Sequence, residues 1–134
     1  GLYMICTLSK HEAEKNGYTD ALMLDYKGRI SESTGSNIFL VINGEIHTPI
    51  PDCFLNGITR QAVIKIAKKE GIKVIERDIY PNEIAKAEEI FLTGSAVEVT
   101  PVGKIDDQTF KVGDTTTKIS SLYMKEVDPN YKDN

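Results

Sequence analysis

The sequence predicts one domain of mixed α and β structure, of the α+β class. With 134 residues, the chain has the size of a single domain that buries a real core. Short apolar runs bounded by turn residues alternate with stretches in which apolar residues recur at helical spacing, and these patterns indicate strands and helices. The domain is predicted to cover residues 1–127, followed by a polar, flexible tail over residues 128–134.

The first part of the chain is predicted to hold a helix and two strands. Apolar residues are spaced as one buried stripe of a helix over residues 1–17, which Asn16-Gly17 would end. The apolar run at residues 21–24 is predicted to be a strand buried on both faces. A turn then leads to a second strand, which ends near Glu32.

The clearest local pattern is a β-hairpin. Two apolar strands, at residues 37–42 and 45–48, are separated by Asn43-Gly44. Asn and Gly tolerate the positive φ angles that a type I′ turn requires at both central residues. Pro49 and Pro51 then exclude a continued central strand and predict a loop as far as Gly57.

An amphipathic helix is predicted to follow this loop and to end at Gly71. Its buried face is predicted to consist of Ile58, Ala62, Val63, Ile66 and Ala67. The remaining predicted elements are a strand at residues 74–75, a short helix at 82–87 with Pro81 in its first turn, strands at 90–92 and 97–99, and a last helix that buries Ile119, Leu122, Tyr123 and Val127.

Composition and charge exclude several classes of protein. The net charge of −4, without a basic stripe, argues against nucleic acid as a partner. The longest apolar runs are far below a membrane span, so no transmembrane helix is expected. Cys6 and Cys53 are predicted to be free thiols in a reducing cytoplasm, and the isolated His11 and His47 are not expected to bind a metal.

Three stretches carry the pattern of a functional site. They are Glu32-Ser33-Thr34-Gly35-Ser36-Asn37-Ile38-Phe39, then Leu55-Asn56-Gly57-Ile58-Thr59-Arg60, and then Leu92-Thr93-Gly94-Ser95-Ala96-Val97-Glu98-Val99-Thr100-Pro101. Together they resemble the cofactor cradle of the class IV pyridoxal-phosphate aminotransferases. In their individual residues they are most similar to the branched-chain amino-acid aminotransferases. The resemblance implies the large C-terminal, cofactor-binding domain of that fold, without its smaller N-terminal domain.

Pyridoxal phosphate needs a lysine amine, a partner for its pyridine nitrogen and a cradle for its phosphate. Taken alone, Glu32 is an ordinary surface residue, but the matching motif makes it the candidate partner of the pyridine nitrogen. The helix that starts at Gly57, Ile58 and Thr59 offers free amides, a positive dipole end and a hydroxyl to a phosphate. If this stretch stood alone, a plain junction between loop and helix would be the better interpretation of these residues. Arg60 opposes the helix dipole and is expected to lie beside an anion.

Further roles come from the resemblance. It implies that Ser95 contacts the phosphate, that the Ala96 amide helps to bind the substrate carboxylate, and that the Tyr3 phenol bonds to the ring oxygen of the cofactor. Asn37 is expected to orient the turn after Glu32.

The resemblance also implies a function for the parent protein. This is transfer of the α-amino group of valine, leucine or isoleucine to 2-oxoglutarate, by a cytoplasmic homodimer or higher homo-oligomer. Gly1 is interpreted as a cut end, with the lysine that binds the cofactor just upstream, so residues 1–134 alone contain no catalytic residue and are expected to be inactive and to bind the cofactor weakly or not at all. D-amino-acid transaminases and 4-amino-4-deoxychorismate lyases share the cradle, and a non-catalytic phosphate-binding or interaction domain is the alternative outside the enzymes.

Overall fold

The computed structural model of the chain describes residues 3–8, 19–24, 30–33, 37–50, 57–94 and 98–132. For the first three segments and Glu98 it describes the backbone alone. The strands in these segments are β1 (Tyr3–Leu8), β2 (Thr19–Leu24), β3 (Ile30–Ser33), β4 (Asn37–Ile42), β5 (Glu45–Thr48), β6 (Val74–Glu76), β7 (Glu89–Gly94), β8 (Glu98–Ile105) and β9 (Gln108–Thr109). The helices are α1 (Ile58–Lys69), a 3₁₀ helix (Pro81–Lys86) and α2 (Asp114–Val127).

The strands form one sheet in the order β3-β2-β1-β8-β7-β4-β5-β6, with β9 paired to β8. Pairing is antiparallel except between β5 and β6, which are parallel and are connected through α1. The outer strand β3 also contacts β4, which lies five places along this order. The sheet therefore curls back on itself and brings the strand that contains Glu32 to the start of β4.

The core lies on both faces of β4 and β7. Ile38 and Leu40 belong to a cluster covered by the 3₁₀ helix, whereas Phe39 and Val41 belong to a second cluster covered by α1 and α2. Consecutive residues of a strand point to opposite faces, so a run of four buried residues means that β4 is covered on both sides. The rings of Phe39 and Phe91 stack with centroids 4.9 Å apart.

The structure confirms the predicted hairpin and the predicted end of α1. Asn43 and Gly44 have φ angles of 52° and 75°, as the type I′ turn requires. Gly71 follows α1 with a φ of 78°. The Ile72 amide donates to the Ala67 carbonyl at 2.9 Å, and the Gly71 amide donates to the Lys68 carbonyl at 3.1 Å, which together form a Schellman motif. A side chain at position 71 would be strained by this backbone angle.

The predicted helix over residues 1–17 is wrong where the structure describes it. Residues 3–8 form β1, which pairs with β2 on one side and β8 on the other. The spacing of a few apolar residues matched a helical stripe. Tyr3 to Leu8 is nevertheless a nearly continuous run of apolar and β-branched residues, and neighbours on both sides supply the hydrogen bonds that a central strand needs. The rest of the predicted helix lies outside the described residues.

Smaller differences concern the ends of elements. The predicted strand at residues 97–99 is the start of β8, which continues to Ile105. Ile58 and Val127, predicted to be buried, are 89% and 52% exposed. Ile58 is the first residue of its helix and Val127 the last of its own, where fewer neighbours cover a side chain. The flexibility of residues 128–134 stays a prediction.

Within the described part of the chain, no helix combines the length and apolar character needed to cross a membrane. The predicted mixed α and β fold class is confirmed by the arrangement of sheet and helices.

Candidate functional site

Parts of the three motifs meet where β4 begins, β7 ends and α1 begins. Asn37 and Thr93 are paired residues of β4 and β7. A Cβ atom placed on Gly57 would lie 3.4 Å from Asn37 Oδ1. The fold therefore brings Asn37 of the first motif and Thr93 of the third motif to the start of α1, which belongs to the second.

Among the described residues, no side chain caps the N-terminus of α1. Its N-cap is Gly57, no side-chain hydrogen bond caps it, and its first turn contains no acidic residue. The first intrahelical bond runs from the Gln61 amide to the Gly57 carbonyl at 2.9 Å. The amides of Ile58 and Thr59 precede it and have no acceptor within the helix. This end of α1 is suited to an anion that comes from elsewhere.

Thr93 supplies a second, independent observation. Its side chain is fully buried, and within the described residues its Oγ1 has no hydrogen-bond partner. Leaving a buried hydroxyl unpaired costs roughly 1–3 kcal/mol. Thr93 shares its face of β7 with Phe91, and that face carries α1 and α2. An unpaired hydroxyl beside an uncapped helix start fits a polar ligand at this place.

Thr59 is half-buried and contacts the last helix. Its Oγ1 lies 3.5 Å from the phenol oxygen of Tyr123 in α2. Sequence reasoning placed Tyr123 on the buried face of this helix and missed the polar contact. No local pattern signals it, because the two residues are 64 positions apart.

The expectation that Arg60 lies beside an anion is confirmed. Arg60 is 2% exposed, and its Nη2 donates to Glu76 Oε1 at 2.6 Å and to the Pro49 carbonyl at 3.1 Å. Its anion is thus a carboxylate of the protein itself. These contacts attach the first turn of α1 to the ends of β5 and β6, and so fix the position of the helix start.

The backbone places Tyr3 and Glu32 in one row of the sheet. Tyr3 is paired with Met23 of β2. On the other side of β2, Leu22 is paired with Ser33 and Leu24 with Ile30, across an irregularity, so Glu32 lies beside Met23. Two strand spacings separate the rows of Tyr3 and Glu32, roughly 10 Å. The prediction that Glu32 ends the second strand is confirmed, and the roles of both side chains stay predictions.

Ser95 and Ala96 lie outside the described residues. They fall between Gly94 and Glu98, which pair across β7 and β8. Their predicted contacts with phosphate and substrate stay predictions.

A cleft of about 720 Å³ lies elsewhere, between β8 and α2, and includes Val99, Asp114 and Tyr131 in its lining. Of the predicted site residues whose side chains the structure describes, which are Asn37, Gly57, Ile58 and Thr59, none lines it. The donors at the start of α1, rather than the size of a cavity, therefore identify the candidate site.

The donor set at that site fits a phosphorylated cofactor. It combines two backbone amides, the positive end of a helix, the Thr59 hydroxyl and the unpaired Thr93 hydroxyl, with no acidic residue in the first turn of α1. Neutral and partly positive donors of this kind stabilise a dianion, whereas a carboxylate would repel it.

Comparisons with known proteins agree with this chemistry. A family model described as amino-transferase class IV matches residues 1–105. A probable branched-chain-amino-acid aminotransferase of Aquifex aeolicus is 42% identical over 132 residues, which cover 95% of this chain and 42% of the relative.

Two solved structures are similar throughout most of the chain. The branched-chain aminotransferase of Thermoproteus uzoniensis with norvaline has a TM-score of 0.79 and 40% identity, covering 89% of this chain and 40% of that one. An aminotransferase from Brucella abortus bound to the cofactor PLP has a TM-score of 0.77 and 38% identity, covering 87% of this chain and 42% of that one. The chain thus spans about two fifths of the length of these relatives.

Proposed function

The chain belongs to the class IV aminotransferase family, and from this membership we propose that it is the cofactor-binding part of a branched-chain amino-acid aminotransferase. The reaction is transfer of the α-amino group of valine, leucine or isoleucine to 2-oxoglutarate. The observation that carries the proposal is the start of α1 beside the buried hydroxyl of Thr93, neither of which has a side-chain partner among the described residues. The names of the similar proteins support the choice of substrate.

The residues of this chain hold and orient pyridoxal phosphate. The amides of Ile58 and Thr59 and the hydroxyls of Thr59 and Ser95 donate to the phosphate, and Gly57 leaves room for its approach. The Glu32 carboxylate keeps a proton on the pyridine nitrogen, and the Tyr3 phenol donates to the ring oxygen. Asn37, at the start of β4, orients the turn that follows Glu32. When bound, the cofactor supplies an electron sink for the electron pair left as the substrate Cα loses its proton.

The proposed division of labour leaves proton transfer to a lysine that precedes Gly1. Residues 1–134 alone would therefore lack the general base, whose contribution is on the order of 10²-fold or more. The Ala96 amide binds the substrate carboxylate in this scheme. The cytoplasm and a homodimer or higher homo-oligomer are the proposed location and assembly of the complete enzyme.

The test uses the complete gene product that contains this chain. Glutamate formation from 2-oxoglutarate is measured with leucine, valine and isoleucine, alongside D-alanine with pyruvate and the release of pyruvate from 4-amino-4-deoxychorismate. We expect turnover with the branched-chain amino acids. Preference for either of the other substrates would replace this function with that of a D-amino-acid transaminase or a lyase.

Two variants separate the proposed roles. Glu32→Gln should lower kcat by about 10²-fold or more, while the affinity for the cofactor changes little, because the amide keeps the shape of the side chain. Thr59→Val should weaken the affinity by about tenfold, the value of a hydrogen bond to a charged group. Binding of pyridoxal phosphate without any turnover by the complete gene product would favour the non-catalytic domain instead.

The same assay with residues 1–134 alone is expected to give no measurable amino transfer. Robust turnover of leucine by this purified chain would contradict the proposal that the catalytic lysine lies upstream.

A further inference from the structure

We propose that Tyr123 positions the Thr59 hydroxyl for the phosphate group of the cofactor. The inference rests on the proposed function, because it requires Thr59 to donate to a phosphate. Tyr123 lies in α2, outside the three motifs and outside the span of residues 1–105 that the family model matches. It acts through Thr59, so it is a positioning residue.

The two hydroxyls lie just beyond ordinary hydrogen-bond distance, so a small approach would join them. Tyr123 Oη and Thr59 Oγ1 are 3.5 Å apart, which is longer than the usual 2.5–3.0 Å of an O–H···O hydrogen bond. Each hydroxyl has one proton and two acceptor lone pairs. When Thr59 donates its only proton to an anion, it can no longer donate to Tyr123. It can then only accept, so Tyr123 becomes the donor of the bond between the two hydroxyls. Both protons then point toward the anion, and each bond strengthens the other.

The structure holds the phenol ring in place. Tyr123 packs at the edge of the cluster formed by Phe39, Phe91 and their neighbours. One turn earlier in α2, Ile119 is fully buried, and Lys118 Nζ contacts Glu70 Oε1 at 3.2 Å. The ring is therefore fixed by the core and by contacts between the two helices, while its oxygen reaches the first turn of α1. Phenylalanine would fill the same space but would lack this oxygen.

The experiment compares ligands with and without a phosphate. Dissociation constants for pyridoxal phosphate and for pyridoxal are measured with the complete gene product, and inorganic phosphate is used as a competitor. The variants are Tyr123→Phe, Thr59→Val and the double variant. Tyr80→Phe is the matched control, because Tyr80 is 44% exposed and precedes the 3₁₀ helix on the other face of the sheet.

Tyr123→Phe should raise the dissociation constants for pyridoxal phosphate and for inorganic phosphate by about threefold to tenfold. This ratio corresponds to the free energy of one hydrogen bond. Its affinity for pyridoxal should not change, and Tyr80→Phe should match the wild type with every ligand. Because Tyr123 acts through Thr59, the double variant should be no weaker than Thr59→Val alone. The gain in melting temperature on adding phosphate, measured against the phosphate-free value of each variant, separates positioning from a general loss of stability.

Three outcomes would overturn the inference. They are an unchanged affinity for pyridoxal phosphate in Tyr123→Phe, an equal loss for both ligands, and independent losses that add in the double variant. The proposed function fails separately if the wild type binds pyridoxal phosphate no more tightly than pyridoxal, or if Thr59→Val leaves that ratio unchanged. In those cases the role of Tyr123 fails with it.

Discussion

The two α-helices both have a glycine at the N-cap, but they differ in the carboxylates that the protein places at their N-termini. In α2 the Glu89 side chain reaches over from β7, and its Oε1 accepts a hydrogen bond from the Thr116 amide at 2.8 Å. Asp114 adds a second carboxylate in the first turn. In the part of the chain that the structure describes, the start of α1 has neither feature. The positive end of α2 is thus matched by carboxylates of the protein itself, whereas the described residues supply none to that of α1, in keeping with the proposed phosphate site.

The two N-cap glycines, Gly57 and Gly113, have different surroundings. A Cβ atom on Gly113 would overlap Cδ of Glu89, so the capping carboxylate occupies the space that a side chain would need. A Cβ atom on Gly57 would meet Asn37 Oδ1 at 3.4 Å, an ordinary contact. Gly113 is therefore required by internal packing. Against the described residues, Gly57 is therefore compatible with a small side chain.

Arg60, in the first turn of α1, forms an ion pair with Glu76 of β6 and so connects the helix to the sheet. The largest predicted effect concerns this ion pair. Glu76→Ala should destabilise the fold by about 2–3 kcal/mol, because it removes the counter-charge of a buried guanidinium. Arg60→Met should cost less, since it leaves a carboxylate whose side chain is 44% exposed and is solvated by water. Urea unfolding of both variants gives the two free energies. An equal or reversed order would show that the pair does not anchor α1 in this way.

The closed start of α2 predicts the next largest effect. Gly113→Ala should lower the free energy of unfolding by about 2 kcal/mol, because the new methyl group displaces the capping carboxylate. Glu89→Gln, which keeps the acceptor and loses the charge, should cost about 1 kcal/mol or less. Gly57→Ala is the matched control at the open helix start, and its cost should be the smallest of the three. A cost for Gly57→Ala as large as that for Gly113→Ala would contradict the contrast between the two helix starts.

A carboxylate introduced at the open start should act in opposite directions on stability and on binding. Ile58 is 89% exposed, so Ile58→Glu removes no core packing. The new charge should stabilise α1 by about 0.3–1 kcal/mol through the helix dipole, and it should weaken the affinity for pyridoxal phosphate by about tenfold through repulsion. Ile58→Gln provides the uncharged control. Thermal melting and ligand titration measure the two effects, and unchanged binding by Ile58→Glu would argue against a phosphate at this end of α1.

The N-terminus of the 3₁₀ helix is the third in the described chain, and it is also capped by a side chain of the protein. The smallest predicted effect concerns this cap. Glu83 Oε2 accepts from the Tyr80 amide at 2.9 Å, and Glu83 Oε1 pairs with Arg77 Nη2 at 2.6 Å. The hydrogen bond from Arg77 lowers the pKa of Glu83 below its ordinary value of 4.5, against the opposing effect of burial. A carboxyl group with a depressed pKa stabilises the fold above that ordinary value, and this stability is lost as the pH falls through the folded-state pKa.

Glu83→Gln should therefore be less stable than the wild type at pH 7, by about 1 kcal/mol or less for this partly exposed pair. The difference should shrink as the pH falls below about 4.5. Unfolding free energies measured from pH 7 to pH 3 provide the check. A difference that stays constant over this range would mean that ionisation of Glu83 does not contribute.

Local patterns predicted most of the elements but failed where the neighbours of a segment decide its structure. Asn43-Gly44 specified the hairpin because only a few residue pairs adopt its turn. The segment at residues 3–8 has apolar residues that suit either a helix or a strand, and pairing with β2 and β8 decided between them. Burial of Ile58 was predicted from periodicity, which describes a helix face but not where the sheet beneath it ends.

The sequence by itself determined the family, the mixed fold class and the motifs that supply a phosphate site, because these depend on residue types at fixed spacing. The tertiary structure decided the partners of the polar groups. It directed Arg60 to Glu76, placed the buried hydroxyl of Thr93 beside the start of α1, and brought Tyr123 to Thr59. Each of these contacts joins residues far apart in the chain, and their geometry depends on how helices and strands pack, which no local spacing encodes.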